Sequence, residues 1–298
     1  MNKILVYGEM LWDVFPDIAV PGGATMNAAM GLRKLGADVV FMSGCGNDKY
    51  GDDLLAYLKE NGMSSQWIQR NEYPTGVVNI KLSEKHDASY EIVFPSAWDY
   101  IKKPELLPEF DVLVYGSLSC RNQTSYNSLL CLLETNSLKV FDVNFRAPFI
   151  DQHIVEQLLV KADIVKLNHE ELLQIARWEG IDSTDLETLA DFVIQQYQIQ
   201  LLCVTIGIDG AFLQQGALKI YQPSYEVVTA DTVGAGDAFL AGFIYHYIQN
   251  KPLKEALEFA CRLGAYVASK KGANPVFIST EIQGLKEAHQ SFKNNQHD

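Results

Sequence analysis

Short apolar runs rich in β-branched residues alternate along the chain with segments of helical period. KILVYG precedes ATMNAAMGLRKLG, DVVFMSG precedes YGDDLLAYLKENG, and DVLVYG precedes QTSYNSLLCLLE. The series continues with LKVFDV, a helical stretch near 151–160, DIVKLN, HEELLQIARWEG, a further helix near 184–197, and LLCVTIG. Strand and helix in alternation predict βαβ units and a mostly parallel sheet. The strand runs are apolar throughout rather than every second residue, as in sheets covered on both faces.

Two segments break this rhythm. Residues 75–94, TGVVNIKLSEKHDASYEIVF, alternate with period two on either side of the polar SEKHDA, which predicts an antiparallel hairpin. Such a hairpin is either an extra pair of edge strands or a mobile flap over a site, and pattern alone slightly favours the edge strands. GAFLQQGALKIYQP predicts a second hairpin turning at Gln-Gln-Gly. Two helices follow, AGDAFLAGFIYHYIQN and PLKEALEFACRLGAYVASKKG, the second opened by Pro252 and closed by Gly272. No repeat, low-complexity tract or linker divides the chain.

Composition narrows the partners more than the fold. The 298 residues are 48% hydrophobic and 20% charged, an ordinary globular mixture. The formal charge of -13 argues against nucleic acid or an anionic membrane as main partner, since phosphate backbones are held by clustered Lys and Arg. Cys45, Cys120, Cys131, Cys203 and Cys261 are odd in number and widely scattered, so reduced thiols are expected rather than a disulfide framework or a zinc site. No apolar run approaches the ~20 residues of a spanning helix, and the start shows no secretory signal, so the expected location is cytoplasmic.

The residues most suggestive of chemistry are TADTVGAGDAF, 229–239. Its glycines allow close backbone approach, and the helix that follows offers its first unpaired N–H groups at the same place, which together make an anion site. Asp237 would repel an anion there, but it suits the acceptor of a proton leaving a hydroxyl that attacks phosphorus. The plainer alternative is a Gly-rich turn with Asp237 capping the helix. The spacing matches neither the P-loop nor GxGxxG.

DTVGAGDAF resembles the signature of the ribokinase, or PfkB, family of carbohydrate kinases. PGGATMNAAMGLRKLGADVVFMSGCGNDKYGDDLLAYLKENG is similar to that family's other, N-terminal signature, and VKLNHEE and VTIGIDGAF lie between the two. The resemblance covers essentially the whole chain. It implies a ribokinase-like three-layer α/β/α fold with a mostly parallel central sheet, one domain over 1–298, and a small β-lid made of 75–94 with parts of 9–20. It further implies an ATP-dependent phosphotransferase with an alcohol acceptor, Mg2+ as cofactor, K+ in some members, and a homodimer formed through the lid.

Residue by residue, the resemblance implies Asp237 as catalytic base, with the amides of Gly234, Ala235 and Gly236 as the anion hole. Asp13 corresponds to the residue that binds substrate hydroxyls, with Gly22, Gly23 and Asn27 beside it. Asn168 and Glu171 correspond to the pair that acts on Mg2+ and phosphate through water. Thr205, Gly207 and Gly210 fall in the nucleotide loop, and Gly272 to Asn274 near the adenine. Asp231 and the backbone of Val233 and Ala268 fall where K+ is held. Each has a plainer alternative: Asp13 a solvated loop charge, Asn27 a helix residue facing water, Glu171 a first-turn carboxylate stabilised by the helix dipole. For Thr205 and Asn274, where only a loose loop pattern matches, that alternative stands.

Members that take phosphorylated sugars carry GGKG where this chain has GGAT, which favours a neutral sugar. FDVNFRAPF, giving Asp142, Asn144 and Arg146, resembles the D-x-N-x-R segment of fructokinases and 2-keto-3-deoxygluconate kinases, and YGSLSCR and AWDY are also similar to fructokinases. The expected substrate is D-fructose, phosphorylated on a primary hydroxyl. Ribose, a nucleoside or a sugar acid held by Arg146 are the alternatives within the fold, and a sugar-binding regulator without catalysis is the alternative outside it.

Overall fold

The structure is a computed structural model that describes residues 2–82 and 88–287. The chain divides between Ser137 and Leu138 into two compact units. In the first, β1 (Lys3–Tyr7), β4 (Asp38–Gly46), β5 (Ile68–Asn71) and β8 (Val112–Gly116) pair in the order β8-β1-β4-β5, every pairing parallel. The helices are α1 (Ala24–Lys34), α2 (Lys49–Glu60) and α3 (Gln123–Leu133). Ile4, Leu5, Val6 and Tyr7 of β1 have no exposed surface, which is why its sequence reads as one apolar run. Helix α1 is buried from Thr25 to Leu32 without a break, so it needs no polar face.

A second sheet in the same unit has the order β3-β2-β6-β7, formed by β2 (Leu11–Val14), β3 (Ala19–Gly22), β6 (Gly76–Leu82) and β7 (Ala88–Ile92). The antiparallel hairpin expected over 75–94 is β6 and β7, and its SEKHDA turn falls mostly outside the described residues. Leu11, Val78 and Ile80 form a buried cluster on this sheet, with Phe15 and Ile92 packed against it.

Both stems of the hairpin are tied down. At the start of β6, the Thr75 amide and hydroxyl donate to Asp48 at 2.8 and 2.6 Å, while the Thr75 hydroxyl accepts from Gly46 N–H at 2.9 Å. Asp48 also caps α2 by accepting from Gly51 N–H at 2.8 Å. Burial pushes its carboxyl up, but the hydrogen bonds from Thr75 and Gly51 outweigh that and hold it below the ordinary aspartate range. Beyond β7, Arg121 donates to the Val93 carbonyl at 2.7 Å and grips Asp99 through Nε at 2.7 Å and Nη2 at 2.8 Å. Its guanidinium lies 3.9 Å from the centroid of the Trp98 ring. Both charged side chains of this pair are buried, at 2% and 0% exposure.

In the second unit, β9 (Leu138–Asp142), β10 (Ile164–Asn168) and β11 (Leu201–Thr205) run parallel, and β12 (Ala211–Gln215) and β13 (Leu218–Gln222) add an antiparallel hairpin. Around them are α4 (Gln152–Lys161), α5 (His169–Trp178), α6 (Leu186–Tyr197), α7 (Ala235–Tyr247), α8 (Leu253–Ala268) and the short α9 (Ser279–Gly284). Asp151 and Asp185 cap α4 and α6 by accepting from Ile154 and Thr188 N–H at 3.1 and 2.8 Å. Helix α8 ends at Ala268, earlier than the Gly272 stop read from sequence. Ser269 donates back to Ala265 and Tyr266, and Gly272 lies in the turn beyond with φ of 76°. All five cysteines are free, four of them buried. Among the described residues no helix is long and apolar enough to cross a membrane.

The buried Arg121–Asp99 pair supports a stability prediction. Arg121→Met leaves Asp99 without its counter-charge and should cost roughly 3–5 kcal/mol, most of it recovered in Arg121→Met/Asp99→Leu. Urea denaturation of the three proteins checks this. The depressed Asp48 carboxyl contributes stability that is present above the unfolded aspartate value of about 3.9 and lost as pH falls through the lower folded value. Asp48→Asn should therefore flatten the acid side of a plot of urea midpoint against pH.

Candidate active site

The second unit carries the densest chemistry. Strands β9 and β10 pair in a register that sets Lys166 directly beside Asp142. The Lys166 ammonium donates to Asp142 Oδ1 at 2.9 Å, and both residues are buried. After β9 the chain turns through Asn144, whose φ of 44° is left-handed, to Phe145 and the exposed Arg146. Arg146 folds back to donate to the Phe145 carbonyl at 2.9 Å.

After β10 the chain enters α5 through a capping box. Asn168 Oδ1 accepts from Glu171 N–H at 2.9 Å, and Glu171 Oε2 accepts from Asn168 N–H at 2.8 Å. Glu171 Oε1 accepts from Phe145 N–H at 2.8 Å, so one carboxylate ties the loop after β9 to the start of α5. Burial lifts the Glu171 carboxyl above its ordinary range, against the nearby Lys166 charge. The helix-cap role is thus observed, and the side chain is buried rather than solvated.

Helix α7 begins at a turn rather than at a capping side chain. Gly234 is its N-cap with φ of 80°, and Asp237 stands in the first turn, 9% exposed, so it is not the cap. A Cβ at Gly234 would lie 2.6 Å from Ala273 Cα, so the turn needs glycine for both its conformation and its packing. A Cβ at Gly236 would lie 3.2 Å from Lys166 Nζ, so the ammonium reaches up to the glycine turn. Asp237, Glu171 and Asp142 all act electrostatically on Lys166. Burial pushes its pKa down, but the three carboxylates outweigh burial and hold it above the usual lysine range. Of the three amides expected to form the anion hole, Ala235 N–H already donates to the Thr232 carbonyl, at a long 3.3 Å.

The remaining positions in this unit are more scattered. Thr205 ends β11, its hydroxyl 3.5 Å from the Leu167 carbonyl, and Gly207 and Gly210 bracket the 3₁₀ turn that follows. Ile208 in that turn is 86% exposed. Asn274 is half-buried beside Ala273. Asp231 accepts from Val233 N–H at 3.0 Å and Gly272 N–H at 3.3 Å. The Ala268 carbonyl accepts from Ala230 and Asp231 N–H at 2.9 and 3.2 Å. The residues expected to hold K+ therefore form a hydrogen-bonded turn in which the Ala268 carbonyl already serves two amides.

In the first unit, Asp13 is half-buried on β2, a strand residue and not a loop charge. A Cβ at Gly22 would overlap the Asp13 carboxylate, so glycine there leaves the carboxylate its place across the β2–β3 pair. Gly23 caps α1 with φ of 108°, and Asn27, one turn in, is 6% exposed and does not face water. Glu9, at 1% exposure, accepts from Thr25 N–H at 3.3 Å.

Magnesium keeps several waters and binds through one or two carboxylates plus substrate phosphates. Glu171 fits that role through water, since each of its oxygens already accepts a backbone N–H. Among the described residues no group of three or more His, Cys, Asp and Glu side chains is placed to hold a metal directly.

Residues 18–280 match the pattern of the pfkB family of carbohydrate kinases. The chain belongs to this family. It is 31% identical to fructokinase-1 of Oryza sativa subsp. japonica over 95% of this chain and 96% of that one. Among solved structures, the kinase is similar to a Xylella fastidiosa fructokinase with bound ATP, TM-score 0.84 at 25% identity, covering 94% and 97% of the two chains. It is also similar to a Vibrio cholerae fructokinase with fructose, ADP and calcium ion, TM-score 0.83 at 25% identity, covering 95% and 98%. The fold is the ribokinase-like three-layer α/β/α class expected from the motifs, and the kinase is a sugar phosphotransferase with an alcohol group as acceptor.

Lys166 stands inside the VKLNHEE segment but, like Glu9, is given no role by the motifs. The signal for Lys166 was its position: one lysine inside the otherwise apolar DIVKLN strand. The Gly234 turn gives a prediction. Gly234→Ala should cost on the order of 1–2 kcal/mol from the left-handed backbone alone, and more from the clash with Ala273. Thermal unfolding would show the fall, and titration with ADP should show weakened binding.

Proposed function

We propose that the kinase transfers the γ-phosphoryl group of ATP to a primary hydroxyl of D-fructose. The observation that carries the reading is the buried Asp237 in the first turn of α7, directly after a glycine turn backed by the Lys166 ammonium, in a chain of the carbohydrate kinase family. Fructose is supported by the near-full-length relatives that are fructokinases. It is supported also by the GGAT segment, which holds no lysine for a substrate phosphate.

In this reading Asp13, Gly22, Gly23 and Asn27 bind the sugar, with Asn144 and Arg146 contributing from the loop after β9. Asp237 accepts the proton of the attacking hydroxyl as the new O–P bond forms and the bond from phosphorus to the β–γ bridging oxygen breaks. Transfer is loose in most analyses, so a carboxylate of ordinary basicity suffices when the proton leaves late. The amides of Gly234, Ala235 and Gly236 and the N-terminus of α7 meet the negative oxygens, Ala235 exchanging its long bond to Thr232 for one to phosphate. Thr205, Gly207, Gly210, Gly272 and Asn274 line the nucleotide. Asn168 and Glu171 hold Mg2+ through water, and that ion, when bound, neutralises charge on the phosphate oxygens.

The four-stranded sheet acts as the lid over the sugar and, through the exposed Tyr90 on β7 and Ile18 in the β2–β3 turn, as the contact between two copies of the chain. Five free thiols suit the cytoplasm, where they stay reduced.

Coupled ADP release with fructose, ribose, 2-keto-3-deoxygluconate, adenosine and fructose 6-phosphate tests the substrate. Fructose should give the highest kcat/KM, and absence of turnover with every acceptor removes the kinase reading. Asp237→Asn should lower kcat by about 10²–10⁴-fold and leave fructose binding within a few-fold of wild type. Retained turnover would remove Asp237 as base.

A further inference from the structure

A lysine in the middle of a buried parallel strand is costly, because the ammonium must leave water. Three observations show what Lys166 gains in return. It stands in register with Asp142 on the neighbouring strand, 2.9 Å from its carboxylate. Its Nζ lies 3.2 Å and its Cε 4.0 Å from where a Cβ on Gly236 would be, so the end of the side chain underlies the glycine turn rather than stopping at Asp142. Glu171 and Asp237 also act on it electrostatically, so three carboxylates from three separate segments share one ammonium.

We propose that Lys166 is a positioning residue for phosphoryl transfer, its ammonium holding the Gly236–Asp237 turn so that the Asp237 carboxylate meets the acceptor hydroxyl. The inference rests on the reading of Asp237 as the proton acceptor. The physical need is specific. Asp237 acts on the same ammonium as two other acids and, during transfer, faces an anionic phosphoryl group. In a site from which water is excluded, like charges this close push one another apart. An ammonium against the turn offsets that repulsion. The α7 N-terminus also favours the carboxylate, but through a partial charge that the phosphate oxygens compete for. Lys166 supplies a full charge held in place by Asp142.

The bland alternative is that Lys166 only neutralises Asp142, as a structural ion pair. The two readings part in a double-mutant cycle on the full chain, read as kcat at saturating fructose and ATP on the folded fraction. If Lys166 acts through Asp237, Lys166→Met lowers kcat by about 10–100-fold, the range expected when a reacting group is displaced by an ångström or less. KM for both substrates stays within about 3-fold of wild type. In an Asp237→Asn background the same substitution then changes kcat by less than about 3-fold, because residues acting as a unit are not additive.

Unchanged kcat in Lys166→Met overturns the proposal, and so does a loss that repeats in full on Asp237→Asn. Should Lys166→Met fail to fold, Lys166→Met/Asp142→Leu is compared with Asp142→Leu alone by the same criterion. Wild-type protein that releases no ADP with any acceptor fails the kinase reading instead, and the two failures are thereby distinct.

Discussion

An ammonium set beside a carboxylate on two neighbouring buried strands fixes more than itself. The Lys166–Asp142 pair ties β9 to β10 in one register, because a slip of one strand by one residue would turn one of the charges to the other face and leave both buried without partners. Each unpaired ion would cost several kcal/mol, a large share of the stability of an ordinary domain. The register in turn sets where the two strands end. At their carboxyl ends, where parallel α/β sheets place their ligands, stand the Asn144–Arg146 loop and the Asn168–Glu171 cap, stitched together by Phe145 N–H on Glu171.

That stitching makes Glu171 serve two masters. It closes the capping box of α5 and, in the proposed reading, is the carboxylate that acts on a hydrated metal ion. The motif reading and the plain helix-terminus reading were set against each other at the sequence level, and the geometry shows the second without excluding the first, since one carboxylate can do both. For Asp237 the alternatives do separate. A glycine in a left-handed conformation supplies the cap of α7, and the carboxylate one turn in is not the capping group.

The sequence made some of these features legible and hid others, for physical reasons. Strands such as KILVYG and LLCVTIG announced themselves because burial on both faces leaves no polar position to interrupt the run. The helices showed in their period, while the side chains that cap their starts, Asp48, Asp151, Asn168 and Asp185, are seen in the structure. The glycine turn and Asp237 were legible as local chemistry. Lys166 was not, because its meaning lies in a partner 24 residues away and in a glycine much further on. The Arg121–Asp99 pair was hidden for the same reason, its two members belonging to separate 3₁₀ turns. The end of α8 was misjudged because Gly272 is a turn glycine that follows the helix at a distance, and proximity was mistaken for a cap.

The four-stranded sheet of the first unit is connected to the rest of that unit through stems that are both pinned, Thr75 by Asp48 and Val93 by Arg121. Strands held at both feet do not fray one at a time, since loosening either stem breaks a network that also caps α2 or neutralises a buried aspartate. Loosening of the hairpin is therefore coupled, at one foot, to the cap of α2 and, at the other, to the buried ion pair.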